Sequence, residues 1–184
     1  MRNKIKPLIL CGLFAALTAI GAFIKIPMWP APITAQTMFI AAAGVLIGPK
    51  LGAASQLIYL LLGLFGLPIF TKGGGFGYIF QPTFGFLLAS IPTVIVIGVI
   101  SKKIDGVKGA VIATVCGYAV LYLIGVPYLW MIVNYVSGVE MSISAALYSG
   151  MVLFIPGDAL KVAAVALLSV KLKPVVRFTQ VNSR

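Results

Sequence analysis

The sequence predicts an all-α integral membrane protein of six transmembrane helices, with the N and C termini cytoplasmic. Three observations predict it. Of the 184 residues 61% are hydrophobic and 9% charged, where a soluble domain carries roughly 25% charged residues. Mean hydropathy is +1.12. The formal net charge of +11 comes from 14 Lys and Arg against 3 Asp and Glu, and the basic residues stand at the ends of apolar runs. That pattern anchors a chain at the membrane surface and sets its topology; it does not suit a nucleic-acid face. The expected organisation is one membrane domain over 1–173 followed by a polar cytoplasmic tail at 174–184.

Each span has its own signal. The first runs from about Leu8 to Ile24 behind Arg2, Lys4 and Lys6. It imitates a signal peptide, but it is long for an h-region and lacks a clear small-x-small cleavage site, so it reads as a retained span. It carries two rows of small residues, Ala15 with Ala19 and Gly12 with Ala16. Such rows let helix backbones approach closely, either within the chain or against a partner membrane protein. Pro27, Pro30 and Pro32 then forbid a helix and favour an extended connection, with Trp29 suited to the interface. Thr34, Gln36 and Thr37 add uncharged hydrogen-bonding groups before span two, about Gln36 to Ile47, which ends at the turn Gly48-Pro49-Lys50.

Span three, about Leu51 to Phe70, leads into Thr71-Lys72-Gly73-Gly74-Gly75-Phe76-Gly77-Tyr78. Four glycines in five positions make a flexible or tightly turning loop, and no Gly-Lys-Ser/Thr ending makes it a P-loop. Span four, about Ile79 to Ile100, opens with Gln81-Pro82-Thr83-Phe84. Span five, about Gly109 to Leu129, ends near Pro127 and Tyr128. A loop with Asn134 and Glu140 precedes the last apolar stretch, Ala145 to Val170. At 1.5 Å per residue that stretch is about 39 Å long, too much for one straight span, and Pro156 is the natural place for a bend.

With six spans, one side of the membrane collects Arg2, Lys4, Lys6, Lys50, Lys102, Lys103, Lys108, Lys171, Lys173, Arg177 and Arg184, and the other only Lys25 and Lys72. The positive-inside rule puts the first side in the cytoplasm.

Asp158 is the one acidic residue inside an apolar run, and Lys161 lies three residues on, on the same helical face. A lone charge in hydrocarbon costs about 2.5–3.5 kcal/mol on insertion scales, so such residues face a bundle interior, pair, or meet a ligand. Pro156 and Gly157 either kink the helix there or start it. The pair reads as a self-neutralising structural contact or as a site for a polar small molecule. Counting back from Lys171 places Asp158 about 20 Å above the inner boundary of a roughly 30 Å core, in the outer half. The outer connections carry Thr34, Gln36, Lys72, Tyr78, Gln81, Asn134 and Glu140, so polar and flexible groups converge on one outward-facing region.

The composition also narrows the chemistry. The chain has no His, which removes the commonest general base and metal ligand. Cys11 and Cys116 lie in apolar runs and read as packing residues. One buried acid and one buried lysine support neither a nucleophile–base pair nor a two-carboxylate metal centre. No catalytic residue, metal or cofactor is expected.

In order and spacing, several segments resemble one family. They are Pro32-Ile33-Thr34-Ala35-Gln36-Thr37, Gly44 with Gly48-Pro49-Lys50-Leu51-Gly52, Gly63-Leu64-Phe65-Gly66-Leu67-Pro68, the glycine loop to Tyr78, Pro82-Thr83-Phe84-Gly85 and Pro156-Gly157-Asp158-Ala159-Leu160-Lys161. Over about residues 8 to 172 the chain resembles BioY, the biotin-specific S component of energy-coupling factor transporters. The resemblance implies a six-helix S-component fold in the cell membrane that binds biotin near its outer face. It implies partners too: a transmembrane coupling (T) protein docked on the small-residue row of the first helix, Ala15 and Ala19, and two cytoplasmic ATPases that supply the energy. The family's acid and lysine fall on Asp158 and Lys161. Asp158 can accept from a ureido N–H, Gln81 or Asn134 can complete that ring's bonding, Lys161 or Lys72 can meet the carboxylate, and Tyr78, Phe84 and Tyr128 can pack the ring and tail. An S component for another vitamin, such as thiamine or riboflavin, and a non-transporting structural subunit are the alternatives. The Asp–Lys pair and the lack of an aromatic-dense pocket in the matched segments favour biotin.

Overall fold

The first apolar run buries one stripe and leaves the opposite face open. In the structure, a computed structural model describing residues 2–181, α1 (Arg2–Phe23) buries Cys11, Phe14, Ala15, Thr18 and Ala22, a stripe at helical spacing. Leu8, Ile9, Leu13 and Ile20 are exposed on the opposite face, the face that lipid covers in a membrane protein. Arg184 and the end of the expected tail lie outside the described residues, as do the side chains of Arg2, Lys4, Lys173 and Arg177.

The proline-rich connection is a short antiparallel hairpin. Its strands are β1 (Lys25–Ile26) and β2 (Ile33–Thr34), with Lys25 opposite Thr34 and Ile26 opposite Ile33. Helix α2 (Gln36–Leu64) follows and is broken at Gly48, where φ is 80° and ψ is −178°. Glycine tolerates that positive φ, and the proline after it disfavours helical geometry at its predecessor. The break reverses the chain. A Cβ built on Gly52 would stand 3.6 Å from the Ala43 carbonyl carbon, although nine residues of straight helix span about 13.5 Å. Residues 36–47 and 49–64 therefore lie side by side. α3 closes on the break: Ser101 Oγ donates to the Val45 carbonyl at 3.4 Å, and a Cβ on Gly98 would fall 2.4 Å from Pro49 N. Span three ends at Leu64, short of the expected Phe70, because the glycine loop turns back on it. Gly75 N donates to the Gly63 carbonyl at 2.7 Å.

A 3₁₀ turn (Phe76–Phe80) precedes α3 (Phe84–Lys103). Pro82 disfavours helical geometry at Gln81, which is extended (φ −88°, ψ 140°), so α3 starts later than expected. α4 (Gly106–Tyr135) runs on through Pro127, where an end was expected. The final apolar stretch breaks at Met151 (φ −137°, ψ −59°), not at Pro156. α5 (Ile143–Gly150) ends there, a 3₁₀ turn (Val152–Phe154) follows, and α6 (Ile155–Val181) begins with Pro156 in its first turn. A proline there removes an N–H that has no intrahelical partner anyway. α6 continues into the polar stretch after 173.

Among the described residues, five helical stretches are long and apolar enough to cross a membrane: Ile5–Phe23, Gln36–Leu64, Phe84–Lys103, Gly106–Tyr135 and Ile143–Leu172. α2 packs against α1 and α3, α3 against α4, and α6 against α2 and α4. Glycines set the close approaches: Gly44 and Gly117 both abut Ile97. The core between α2, α3, α4 and α6 includes Ile40, Val45, Ile97, Leu121 and Val165.

Candidate binding site

The hairpin, the start of α2, the glycine loop, the start of α3, the middle of α4 and the start of α6 meet around one cavity of about 60 Å³. The break at Met151 makes this possible, because it lets α6 begin with its charged first turn against the hairpin. Ile33 Cγ2 lies 3.7 Å from where a Cβ on Gly157 would stand. Asp158 sits in that first turn, where the amide ends of the helix favour negative charge.

Asp158 is buried, and both its carboxylate oxygens have partners. Lys161 Nζ donates to Oδ1 at 2.9 Å, and the Tyr122 hydroxyl donates to Oδ2. Lys161 Nζ also donates to Thr37 Oγ1 at 2.9 Å, tying α6 to α2. Phe86 sets its ring edge against Tyr122, with centroids 6.4 Å apart at 82°. Opposite this charged wall is a chain of hydroxyls. Thr71 Oγ1 and the Tyr78 hydroxyl are 2.7 Å apart, and Tyr78 and Thr83 Oγ1 are 3.0 Å apart. Tyr78 is fixed against Phe70, at a centroid distance of 4.6 Å. Lys25 Nζ donates to the carbonyl of Thr71, itself a lining residue, at 2.5 Å, linking the hairpin to the glycine loop. The site therefore offers one carboxylate, one ammonium and several hydroxyls within an apolar lining.

Of the residues expected in a ligand site, Asp158, Lys161, Tyr78, Thr34 and Gln36 line the cavity. Five others do not. Lys72 is exposed on the glycine loop, and Gln81 is half-buried in the turn before α3, outside the lining. Phe84 is buried behind the cavity against Tyr128, whose hydroxyl donates to the Ile79 carbonyl at 2.6 Å. Asn134 is occupied by backbone: its Nδ2 donates to the Trp130 and Met141 carbonyls, and its Oδ1 accepts from Met141 N at 3.0 Å. The small-residue row also needs correction. Ala15 packs inside with Tyr59, Leu60 and Phe70, whereas Ala19 is half-buried at the border of the same cluster. The parallel row, Gly12 and Ala16, is the exposed one.

Sequence reasoning assigned no role in the site to Thr37, Thr71, Thr83, Phe86, Leu121, Tyr122 or Phe154, all of which line the cavity. Tyr118 and Tyr122, four apart in an apolar run, were the available signal for hydroxyls on one helix face. Four aromatic rings line the cavity: Tyr78 lies in the segments that carry the resemblance, and Phe86, Tyr122 and Phe154 lie outside them.

The BioY family model matches residues 1–178. A probable biotin transporter BioY of Lysinibacillus sphaericus is 40% identical over 172 residues, covering 92% of this chain and 88% of that protein. The biotin transporter BioY of Thermotoga maritima is 33% identical over 169 residues, covering 91% and 96%. A crystal structure of the S-component for biotin from an ECF-type ABC transporter has a TM-score of 0.82 to this fold at 30% identity, over 94% of this chain and 93% of that one. With its family model matched almost end to end and its fold shared with that S-component, the chain belongs to the BioY family.

Proposed function

We propose that this chain is the substrate-capturing S component of an energy-coupling factor transporter, and that its substrate is biotin taken from the outer side of the cell membrane. The observation that carries the reading is the Asp158–Lys161 pair on the cavity wall, in a chain whose relatives are named biotin transporters. The pair presents an acceptor and a donor side by side, and a ureido ring presents N–H donors beside a carbonyl. Asp158 accepts from an N–H and Lys161 donates to the carbonyl. Biotin's carboxylate is at its far end, away from the pair, and Lys25, held on the backbone of the lining residue Thr71, is the cation assigned to meet it. Phe86, Leu121 and Phe154 enclose the apolar rings.

Counting the two halves of α2 separately, with α1, α3, α4 and α6, gives six spans. An even count leaves both termini on one side, and the excess of basic residues there makes that side cytoplasmic. A T protein docks on α1, through the exposed Gly12–Ala16 row, and two ATPases drive transport. Calorimetry of the purified, detergent-solubilised protein with biotin tests the ligand: saturable binding is expected at one biotin per chain. A folded protein that ignores biotin but binds thiamine or riboflavin would transfer the reading to that vitamin.

Docking has its own test. A Cβ on Gly12 meets nothing within 4 Å, so Gly12→Leu folds normally but puts bulk on the outer face. Biotin uptake by cells that also make the T protein and ATPases falls about tenfold or more, the scale of losing a central interface contact, while binding by the purified chain is unchanged. Undiminished uptake would remove this face from the interface.

A further inference from the structure

The cavity as it stands is too small. Its volume is about 60 Å³, against roughly 300–1,000 Å³ for pockets that enclose a small molecule. A part of its wall has to give way when ligand enters. Tyr122 is distinguished from the rest of that wall by what lies behind it. The same ring borders a groove of about 510 Å³ between α4 and α5, lined by Leu123, Val126 and Leu147 among others. It also borders a hollow of about 330 Å³ between α4 and α6 that Asp158 shares. Tyr122 thus stands between the site and two largely apolar grooves, held in place by its hydroxyl on Asp158 Oδ2.

We propose that Tyr122 sets the affinity of the site: its hydroxyl occupies Asp158 until a ligand N–H replaces it, and its ring then moves into the groove between α4 and α5. The inference rests on the assignment of Asp158 as acceptor for a ureido ring. In the empty site a neutral O–H donates to the carboxylate oxygen, and in the filled site a neutral N–H does. The exchange keeps the buried carboxylate satisfied in both states and so limits the net gain from the ligand's own bond. Moving the ring enlarges the cavity toward the space a bicyclic ligand needs. The mobile group is the Tyr122 side chain on a fixed α4, which accommodates a ligand without parting the α4–α6 contact.

Two variants test it by calorimetry and biotin dissociation rates, with the wild-type protein alongside. Tyr122→Phe keeps the ring and removes the competing donor. It binds biotin about tenfold to a hundredfold more tightly, mainly through slower dissociation, the range of one hydrogen bond to a charged group. Ala119→Leu adds bulk behind the ring from an exposed position that borders both hollows, and it weakens binding about tenfold or more by obstructing the path the ring takes into the groove. Equal or weaker binding by Tyr122→Phe, or wild-type binding by Ala119→Leu, overturns the proposal. Should the first variant not fold, the second decides alone. If wild-type protein binds biotin and the variants do not differ, only this inference fails; if wild-type protein binds none, the biotin assignment falls and this inference with it.

Discussion

Asp158→Ala weakens biotin binding more than any other single change while the helices stay assembled. The side chain is buried, and removing it takes away the proposed acceptor for the ureido N–H. It also leaves the Lys161 ammonium, on a side chain 12% exposed, without its carboxylate and with its hydrogen bond to Thr37. Truncating one partner of a buried, hydrogen-bonded charge pair costs about 2–5 kcal/mol in binding, or roughly 30- to 5,000-fold in affinity. Asp158→Asn is the informative companion. It keeps the shape and one acceptor oxygen, so it retains more affinity than alanine but far less than the wild type. Calorimetry on the three proteins, with helicity checked by circular dichroism, gives the order wild type, Asn, Ala. If alanine binds as the wild type does, the ligand does not use this carboxylate.

The sequence made some of this legible and hid the rest, for physical reasons. Gly48-Pro49 marked the reversal in α2 because a positive φ before a proline leaves few alternatives. Asp158 and Lys161 were legible because a charge in an apolar run is costly and helical spacing says which residues share a face. Pro156 misled because a proline that breaks a helix interior is harmless in a first turn, and nothing local said which of the two it was. Asn134 misled in another way. Its position in an outer connection suggested ligand contact, but the backbone around Met141 uses up its amide. On α1, both small-residue rows have the same spacing, so which one faces inward depends on where Tyr59 and Phe70 pack. Tyr122 reaches the cavity through the α4–α6 contact, and a single sequence does not display a contact between residues 36 apart.

The second large effect separates a binding pair from a structural one. Lys161→Met leaves Asp158 buried against Tyr122 without its cation, and breaking a buried pair this way costs about 3–5 kcal/mol of stability. Asp158→Leu leaves the ammonium unpaired and carries a similar cost. The double variant Asp158→Leu/Lys161→Met removes both charges, so its stability returns to within about 1 kcal/mol of the wild type or exceeds it, because well-packed apolar side chains often replace a buried ion pair without loss. Thermal unfolding of the four proteins in detergent measures the cycle, and biotin calorimetry on the same samples gives it meaning. A double variant that is stable and binds no biotin places the value of the pair in recognition: the protein keeps two desolvated charges it does not need for folding. A double variant as unstable as the single ones assigns the pair to the architecture. One that is stable and still binds biotin would move the ligand's polar contacts to the hydroxyls of Thr71, Tyr78 and Thr83.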